Sequence, residues 1–385
     1  MSEFRTIREL CSVVVDCPHS TPKWTANGKI VIRNNNIKHG RIDFSSPSYT
    51  DDEHFAQRIK RAKPQPGDII ITREAPIGDV GMIPENTECC LGQRMVLLRA
   101  NQSVCDNFYL LYSLQSLYVQ HQISWSEGTG TTVSNLRIPH LEQIQIPYFP
   151  LEQQAKISSV LRALEEKIEN NRRLNDNLQQ QAMSLYAEMF LNSSDSNVTS
   201  GTLSDIAVIT MGQSPSGSSY NEDGVGEVFY QGRAEFGFRF PKRRLFTTEP
   251  KRIAEAGDVL LSVRAPVGDL NIAYERCCIG RGLGAIHSKT GHSSFVLYTM
   301  FALRSQLDVF NGEGTVFGSI NRDALNAIPI DIPPVTEIDQ FEVVAHPIDE
   351  LIRANYEENC RLEAIRDSLL PKLMSGEIDV SAVQL

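Results

Sequence analysis

A chain of 385 residues, 41% hydrophobic and 22% charged, has the length and composition of a water-soluble globular protein with two or three cores of ordinary size, and it excludes collagen-like and low-complexity classes. The first ten residues hold Glu3, Arg5, Arg8 and Glu9 and no apolar run, so neither a secretory signal nor a membrane span is expected, and the expected location is cytoplasmic. The formal net charge of −10 is unevenly placed: residues 1–150 carry 15 basic and 15 acidic side chains and 201–334 carry 13 and 14, whereas 335–385 carry 4 against 11, so the acidity does not exclude a nucleic-acid partner for the near-neutral parts.

Taken in chain order, the sequence states one pattern twice. Thr6-Ile-Arg-Glu-Leu10 returns as Thr202-Leu-Ser-Asp-Ile206. The segment Gly67-Asp-Ile-Ile-Ile-Thr-Arg-Glu-Ala-Pro-Ile-Gly-Asp79 returns as Gly257-Asp-Val-Leu-Leu-Ser-Val-Arg-Ala-Pro-Val-Gly-Asp269. Cys89-Cys90-Leu-Gly92 answers Cys277-Cys278-Ile-Gly280, and Gly128-Thr-Gly-Thr131 answers Gly312-Glu-Gly-Thr315. A period near half the chain length means a duplicated module rather than a solenoid. Ile69–Thr72 and Val259–Ser262 read as buried strands entered through Gly-Asp turns; Asn107–Gln122 and Ser293–Val309 read as helices, so each module is expected to be α+β. The adjacent cysteines read as buried small hydrophobes, and no disulfide framework or zinc spacing is present.

Each module ends in a heptad seam. After Pro150, apolar or amide residues fall at Ile157, Leu161, Leu164, Ile168, Asn171, Asn175, Leu178, Ala182, Leu185 and Met189; after Pro334 the series is Phe341, Ala345, Ile348, Ile352, Asn355, Asn359, Leu362, Arg366, Leu369 and Leu373. Arg366 breaks the second seam, where Ile365 is the expected substitute. Antiparallel pairing of the two helices would bring Asn171 to Asn359 and Asn175 to Asn355, with buried amides fixing the register. Asn192–Gly201 reads as a polar linker with no packing signal. Glu337, Glu342, Asp349, Glu350, Glu357 and Glu358 give the second helix an acidic side suited to a protein partner.

The sequence offers no catalytic, cofactor-binding or metal-binding constellation. It has no phosphate-cradling Gly-x-x-x-x-Gly-Lys, no His-Glu-x-x-His and no Gly-x-Ser-x-Gly; Gly280-Arg-Gly-Leu-Gly284 lacks dinucleotide spacing and reads as a turn at a strand edge, and Asp68, Asp79, Asp258 and Asp269 read as turn side chains beside glycines. The chain is therefore not expected to be an enzyme by itself. What recurs is a recognition inventory in the stretches where the halves diverge. The first module has Arg33, Asn34, Asn35, Asn36, Lys38, His39 and Arg41, then Arg58, Lys60, Arg61 and Lys63. The second has Gln231, Arg233, Arg239, Lys242, Arg243, Arg244, Lys251 and Arg252, with Phe229, Tyr230, Phe236, Phe238 and Phe240 interleaved in the manner of a half-exposed strand. Arginine and amide side chains can pair with base edges, and basic clusters neutralise phosphates.

This arrangement resembles the specificity subunit of a type I restriction-modification system, through the duplicated module, the Gly-x-Gly-Thr turns, and the Pro-x-x-x-Gln entry to a long helix at Pro150-Leu-Glu-Gln-Gln154, which Pro334-Val-Thr-Glu-Ile338 keeps only in part. The resemblance implies an α+β fold with two similar globular target-recognition domains, residues 1–150 and 202–334, joined by two long helices, 151–191 and 335–375, forming an antiparallel coiled coil, with a linker at 192–201 and a tail at 376–385. It further implies binding of double-stranded DNA at a bipartite, asymmetric target whose spacer the helices set. Two methyltransferase subunits and the restriction subunits would be partners, and S-adenosylmethionine, ATP and Mg would sit on those partners, none on this chain. The alternative from the residues alone is a coiled-coil scaffold presenting two protein-interaction modules without DNA.

Overall fold

The strand Ile69–Arg73 has no exposed residue, and neither has its counterpart Val259–Ser262. A continuous apolar run of this kind must be covered on both faces, and the architecture follows from that need. The computed structural model describes residues 3–38, 40–125, 135–192, 198–312 and 318–383, so the Gly128–Thr131 turn, Gly314, Thr315 and His39 lie outside the described residues. The chain divides into two compact units, one of Met1–Asn170 with Glu358–Leu385 and the other of Asn171–Glu357.

In the first unit an antiparallel sheet runs in the order Cys11–Asp16, Met95–Ala100, Ile69–Arg73, Ile77–Met82. Ile69, Ile71, Val96 and Leu98 point into a core shared with the helix Asn107–Gln115 and with Ile157, Leu161, Leu373 and Met374 of the two long helices. Ile70, Met95 and Leu97 point the other way, into a second core built with Cys89, Leu91 and Ile32. That core belongs to a second sheet, ordered Cys89–Leu91, Lys29–Ile32, Ser48–Thr50, Trp24–Thr25, in which the first two strands are parallel. The second unit repeats the plan. Its sheet Ala207–Met211, Leu283–Ser288, Val259–Ser262, Leu270–Ile272 buries Val259 and Leu261 against Phe295, Tyr298, Tyr186 and Phe341, and Leu260 against Val228, Tyr230, Cys277 and Ile279. There the parallel pair is Glu227–Tyr230 with Cys277–Ile279. Burial pushes the thiols of Cys89 and Cys277 up to about 12, which keeps these residues protonated and inert.

The expected helices of each module are broken in two. Asn107–Gln115 stops at Ser116, whose hydroxyl donates to Ser113 O at 2.6 Å and so competes with the helical ladder, and Leu117–Trp125 follows. The second unit has Ser293–Ala302 and Arg304–Asp308 in the same place. The linker reading also needs correcting at its end: Thr199–Thr202 is a strand paired with Pro329–Ile332, since a backbone ladder requires no apolar side chains. In the C-terminal tail Val380 is buried, and Ile378 and Val383 pack on the first core. Gly376, at φ +76°, turns the chain off the helix end, and the amide of Glu377 reaches Lys372 O at 3.0 Å.

The long helices are Leu151–Tyr186, extended by a π-helical turn over Ala187–Leu191, and Val335–Ser375. Within each unit their segments run antiparallel. In the second unit Asn355 Nδ2 donates to Asn175 Oδ1 at 2.8 Å and Asn175 Nδ2 to Ile352 O at 3.2 Å, with both amides buried. In the first unit Asn359 Nδ2 donates to Ile168 O at 3.3 Å, and Lys167 pairs with Glu358 at 3.1 Å. The seam break is filled differently from expectation. Ile365 faces solvent, and half-buried Arg366 donates to Asp367 at 2.7 and 2.9 Å while coming within 4.0 Å of Glu165, whose other oxygen accepts the Tyr112 hydroxyl.

Gln154 explains why a glutamine stands one turn into the first long helix. It is fully buried, donates to Val104 O at 3.0 Å and Phe149 O at 2.7 Å, and accepts from the amide of Asp106 at 2.9 Å. Asp106 in turn caps the helix Asn107–Gln115 and is held by the Ser158 hydroxyl at 2.6 Å. The second unit reaches the same end by another route. Ile338 is an apolar replacement for the glutamine, and Glu342, at the place of Ser158, itself accepts the amide of Phe295 at 2.8 Å in the first turn of Ser293–Ala302.

Replacing Asn175 with Leu should cost about 1–3 kcal/mol, since the Asn355 amide loses its acceptor. The double change Asn175→Leu with Asn355→Leu should recover more than half of that in denaturant titration, and strictly additive losses would show that the amides are not coupled. Burial raises the Glu342 carboxyl above its usual 4.5, outweighing the Phe295 amide and the nearby His292 and His346, which act the other way. Folding therefore favours the protonated form. That contribution is complete below about 4.5 and is lost as pH rises through the higher folded-state value, so the melting temperature of Glu342→Gln should gain on that of the parent between pH 4 and 7.

Candidate nucleic-acid interface

In each unit the parallel strand pair sends two loops out at its carboxyl end. In the first unit the amide of Gly92 donates to Ile32 O at 2.7 Å, so Arg33–Asn35 and Gln93–Arg94 leave side by side. In the second, the amide of Gly280 donates to Tyr230 O at 2.8 Å, and Gln231–Arg233 leave beside Arg281. Close approach of this kind requires glycine: a Cβ on Gly92 would lie 2.7 Å from Ile32 O, and one on Gly282 2.8 Å from Gln231 O. The amino ends of the same strands are electrostatically closed instead. Lys29 and Lys63 converge on Glu88 and hold its carboxyl down to about 2, and Arg276 pairs with Glu255 at 2.7 Å and Glu227 at 3.4 Å.

The basic and amide candidates fall into three groups. Arg33, Asn35, Lys60, Gln231, Lys242, Lys251 and Arg252 are exposed and form no ion pair with a described residue; Arg33 lies 5.1 Å from the centre of the exposed Trp24 ring. Arg61 is exposed and, among the described residues, makes a single hydrogen bond, to Asp16 O at 3.4 Å. A second group is exposed or partly so but neutralised. Lys38 pairs with Asp43 at 2.7 Å and holds that carboxyl well below its usual range, with Ser45 assisting. Arg41 pairs with Glu169 at 2.7 Å, Lys63 with Glu88 at 2.9 Å, Arg244 with Glu235 at 2.7 Å, Arg233 with Asp269, and Arg243 with Glu275.

The third group corrects the surface reading. Arg58 is 5% exposed and spends its guanidinium on the carbonyls of Leu91, Ser20 and Pro18 at 2.7, 2.8 and 3.1 Å. Arg239 is 3% exposed, 3.2 Å from both Asp349 and the Tyr298 hydroxyl. Asn36 is buried and structural: it accepts the Arg33 amide and donates to Asp43 O. Asn34 is partly buried and donates to Glu74 O at 2.7 Å. Nor is there a half-exposed strand from Phe229 to Lys242. The strand ends at Tyr230, a 3₁₀ turn covers Arg233–Glu235, and Phe240 packs on Tyr274 and Tyr356 while Phe238 stays exposed, so the aromatic alternation here is not the pleat of one strand. The acidic side of the second long helix is also partly consumed, with Glu342 and Asp349 turned inward and Glu357 accepting the Tyr274 hydroxyl. Residues absent from the sequence list, Gln93, Arg264 and Arg281, stand at the loop edge; the available signal was Gly280-Arg-Gly282, an arginine between two glycines.

A protein with two copies of one α+β unit, each presenting exposed basic and amide groups on loops and linked by paired long helices, belongs to the class of duplicated recognition modules. Residues 3–180 and 195–359 each match the profile of the family described as type I restriction modification DNA specificity domain, and the chain belongs to that family. It is similar, at 28% identity across 98% of this chain and 94% of the relative, to a putative type I restriction enzyme MjaX specificity subunit of Methanocaldococcus jannaschii. It is also similar, at 24% identity across 82% of this chain and 78% of the relative, to the type I restriction enzyme MjaIX specificity subunit of the same organism. The crystal structure of a type I restriction-modification system S subunit from M. genitalium shares the fold, with a TM-score of 0.56 at 19% identity over 96% of this chain and 95% of that one.

Replacing Arg239 with Ala should leave Asp349 as a partly buried, unpaired charge and destabilise the second unit on the order of 3 kcal/mol, whereas Arg239→Lys should lose less. Thermal melts distinguish this structural role from a surface one, for which neither change would move the transition.

Proposed function

We propose that this chain is the non-catalytic DNA-reading subunit of a type I restriction-modification assembly. In this reading the domains 1–150 and 202–334 each recognise one half of a bipartite, asymmetric duplex target. The observation that carries the proposal is one loop edge, at the carboxyl end of a parallel strand pair, built twice on matching glycines and furnished with different exposed polar groups in the two copies. Equal scaffolds with unequal side chains are what two unlike half-sites require. Lys60, Lys242, Lys251 and Arg252, exposed and without an ion pair among the described residues, would supply phosphate-neutralising charge outside that edge.

Chemistry would belong to partners. Two methyltransferase subunits would carry S-adenosylmethionine, and restriction subunits would carry ATP and Mg, in the cytoplasm. The long helices would dock the methyltransferases, a role supported by Val343, Val344 and Leu351, which stand exposed on the second helix beside its remaining acidic groups, and the same helices would govern the spacer between half-sites.

Duplex binding should weaken steeply as salt rises, and replacing Lys251 and Arg252 together with Ala should reduce the slope of log affinity against log salt by up to about two units, at ~0.9 per phosphate contact. Arg243 and Arg244 are poorer choices, since each is already held by a glutamate. Absence of duplex binding, alone and with the methyltransferase subunit from the same genome, would instead favour a protein scaffold.

A further inference from the structure

We propose that three corresponding positions at the loop edge determine which bases each unit reads, and that Arg281 and Gln93 are the central pair. The inference rests on the DNA-reading function above and assigns its specificity. The correspondence is fixed by backbone hydrogen bonds. Gly280 bonded to Tyr230 O matches Gly92 bonded to Ile32 O, which sets Gln231 against Arg33 and Arg281 against Gln93. Val263 bonded to Gly282 O at 3.0 Å matches Arg73 bonded to Arg94 O at 2.8 Å, which sets Arg264 against Glu74.

In the second unit these segments are laced tightly. Besides the two bonds just named, Gly282 N donates to Gln231 O at 3.2 Å, Gln213 N to Ile279 O at 3.0 Å, and Arg281 N to Ser214 Oγ at 3.2 Å. A Cβ on Gly280 would meet Gln231 Cα at 2.9 Å, so the glycines on either side of Arg281 exist to bring the backbones together. Gln231, Arg264 and Arg281 thus stand exposed on rigid backbone, and the side chains of Arg264 and Arg281 have no acidic partner among the described residues. A guanidinium left unneutralised on a fixed loop, while its neighbours at the strands' amino ends are paired, is suited to an external acceptor pair such as guanine O6 and N7.

The first unit presents a different chemistry at the same three positions. Arg33 suits guanine. Half-buried Gln93 donates from Nε2 to His19 O and, at 3.4 Å, to Thr21 Oγ1, which orients its amide and leaves Oε1 for the amino group of adenine. The Glu74 carboxylate, which accepts from Asn135 at 2.6 Å, suits the amino group of cytosine. Arg94 pairs with Glu74 at 3.3 Å and holds that carboxylate at the edge, with its own backbone at φ +65°.

The test exchanges the central pair. Full-length protein, alone and with the methyltransferase subunit from its own genome, is allowed to select from a randomised duplex pool, and the parent is compared with Arg281→Gln, Gln93→Arg, Arg264→Gln and the control Arg276→Ala. Arg281→Gln and Arg264→Gln should change preference in one half-site only, by roughly tenfold to hundredfold at a base position, and Gln93→Arg in the other half-site only, with Arg276→Ala unchanged. Melting curves identify any variant that fails to fold, and the second arginine keeps the test decisive in that event. If the parent selects a bipartite sequence and the folded variants select the same one, the assignment of these positions is wrong while the DNA-reading function stands. If the parent selects no sequence, both fall.

Discussion

Coverage of a strand on two faces is the constraint from which the rest of each unit follows. Ile69, Ile70 and Ile71 alternate between two cores, and Val259, Leu260 and Leu261 do the same. One face requires helices and finds them in the module's own helix and in the seam of the long helices. The other requires a second sheet, and that sheet contains the parallel pair whose carboxyl end forms the loop edge. The recognition surface is thus carried by the layer that exists to cover the central strand. Its loops can change without disturbing the buried residues, which is the separation of scaffold and site that a duplicated reader needs.

Charge is handled in the same layered way. An acidic chain reads as a poor ligand for a polyanion, yet many of its acidic groups are already committed. Asp68 is tied to Arg99 at 2.7 Å, Asp258 to His287 at 2.6 Å, and Glu342 and Asp349 to groups of their own unit. Arginines that serve the scaffold, such as Arg58 and Arg73, are shielded by carbonyls or by Asp16, whereas Arg33, Arg264 and Arg281, where the loops emerge, have no acidic partner among the described residues. Net charge summed over the sequence carries none of this information.

The legible parts of the sequence were those fixed by repetition and periodicity. Two copies, buried Gly-Asp strands, buried cysteine pairs and two long seamed helices are all readable because each depends on a pattern of apolar residues over many positions. The loop edge was harder. Its exposed residues obey no periodicity, and basic type alone could not separate Arg239, folded under Tyr298 and Phe301, from Lys251 in solvent. The aromatic alternation from Phe229 to Phe240 misled for a related reason, since period two is a strand signal only while the backbone stays extended, and the 3₁₀ turn Arg233–Glu235 ends that. Arg366 in the seam shows the converse. A charged residue at an apolar position is held by Asp367 beside it at 2.7 Å and comes within 4.0 Å of Glu165 on the facing helix, an approach invisible without the register.

The discontinuity of the first unit has a consequence for how the protein comes into being. Its first core takes Leu373, Met374 and Val380 from the far end of the chain, while the second unit is one uninterrupted stretch, Asn171–Glu357. On a ribosome the second unit has all its parts before the first one does. Residues 1–170 must therefore wait, with part of their apolar surface open, until the last helix emerges to close it. Shortening the chain by a few residues at that end would injure the unit made from its beginning.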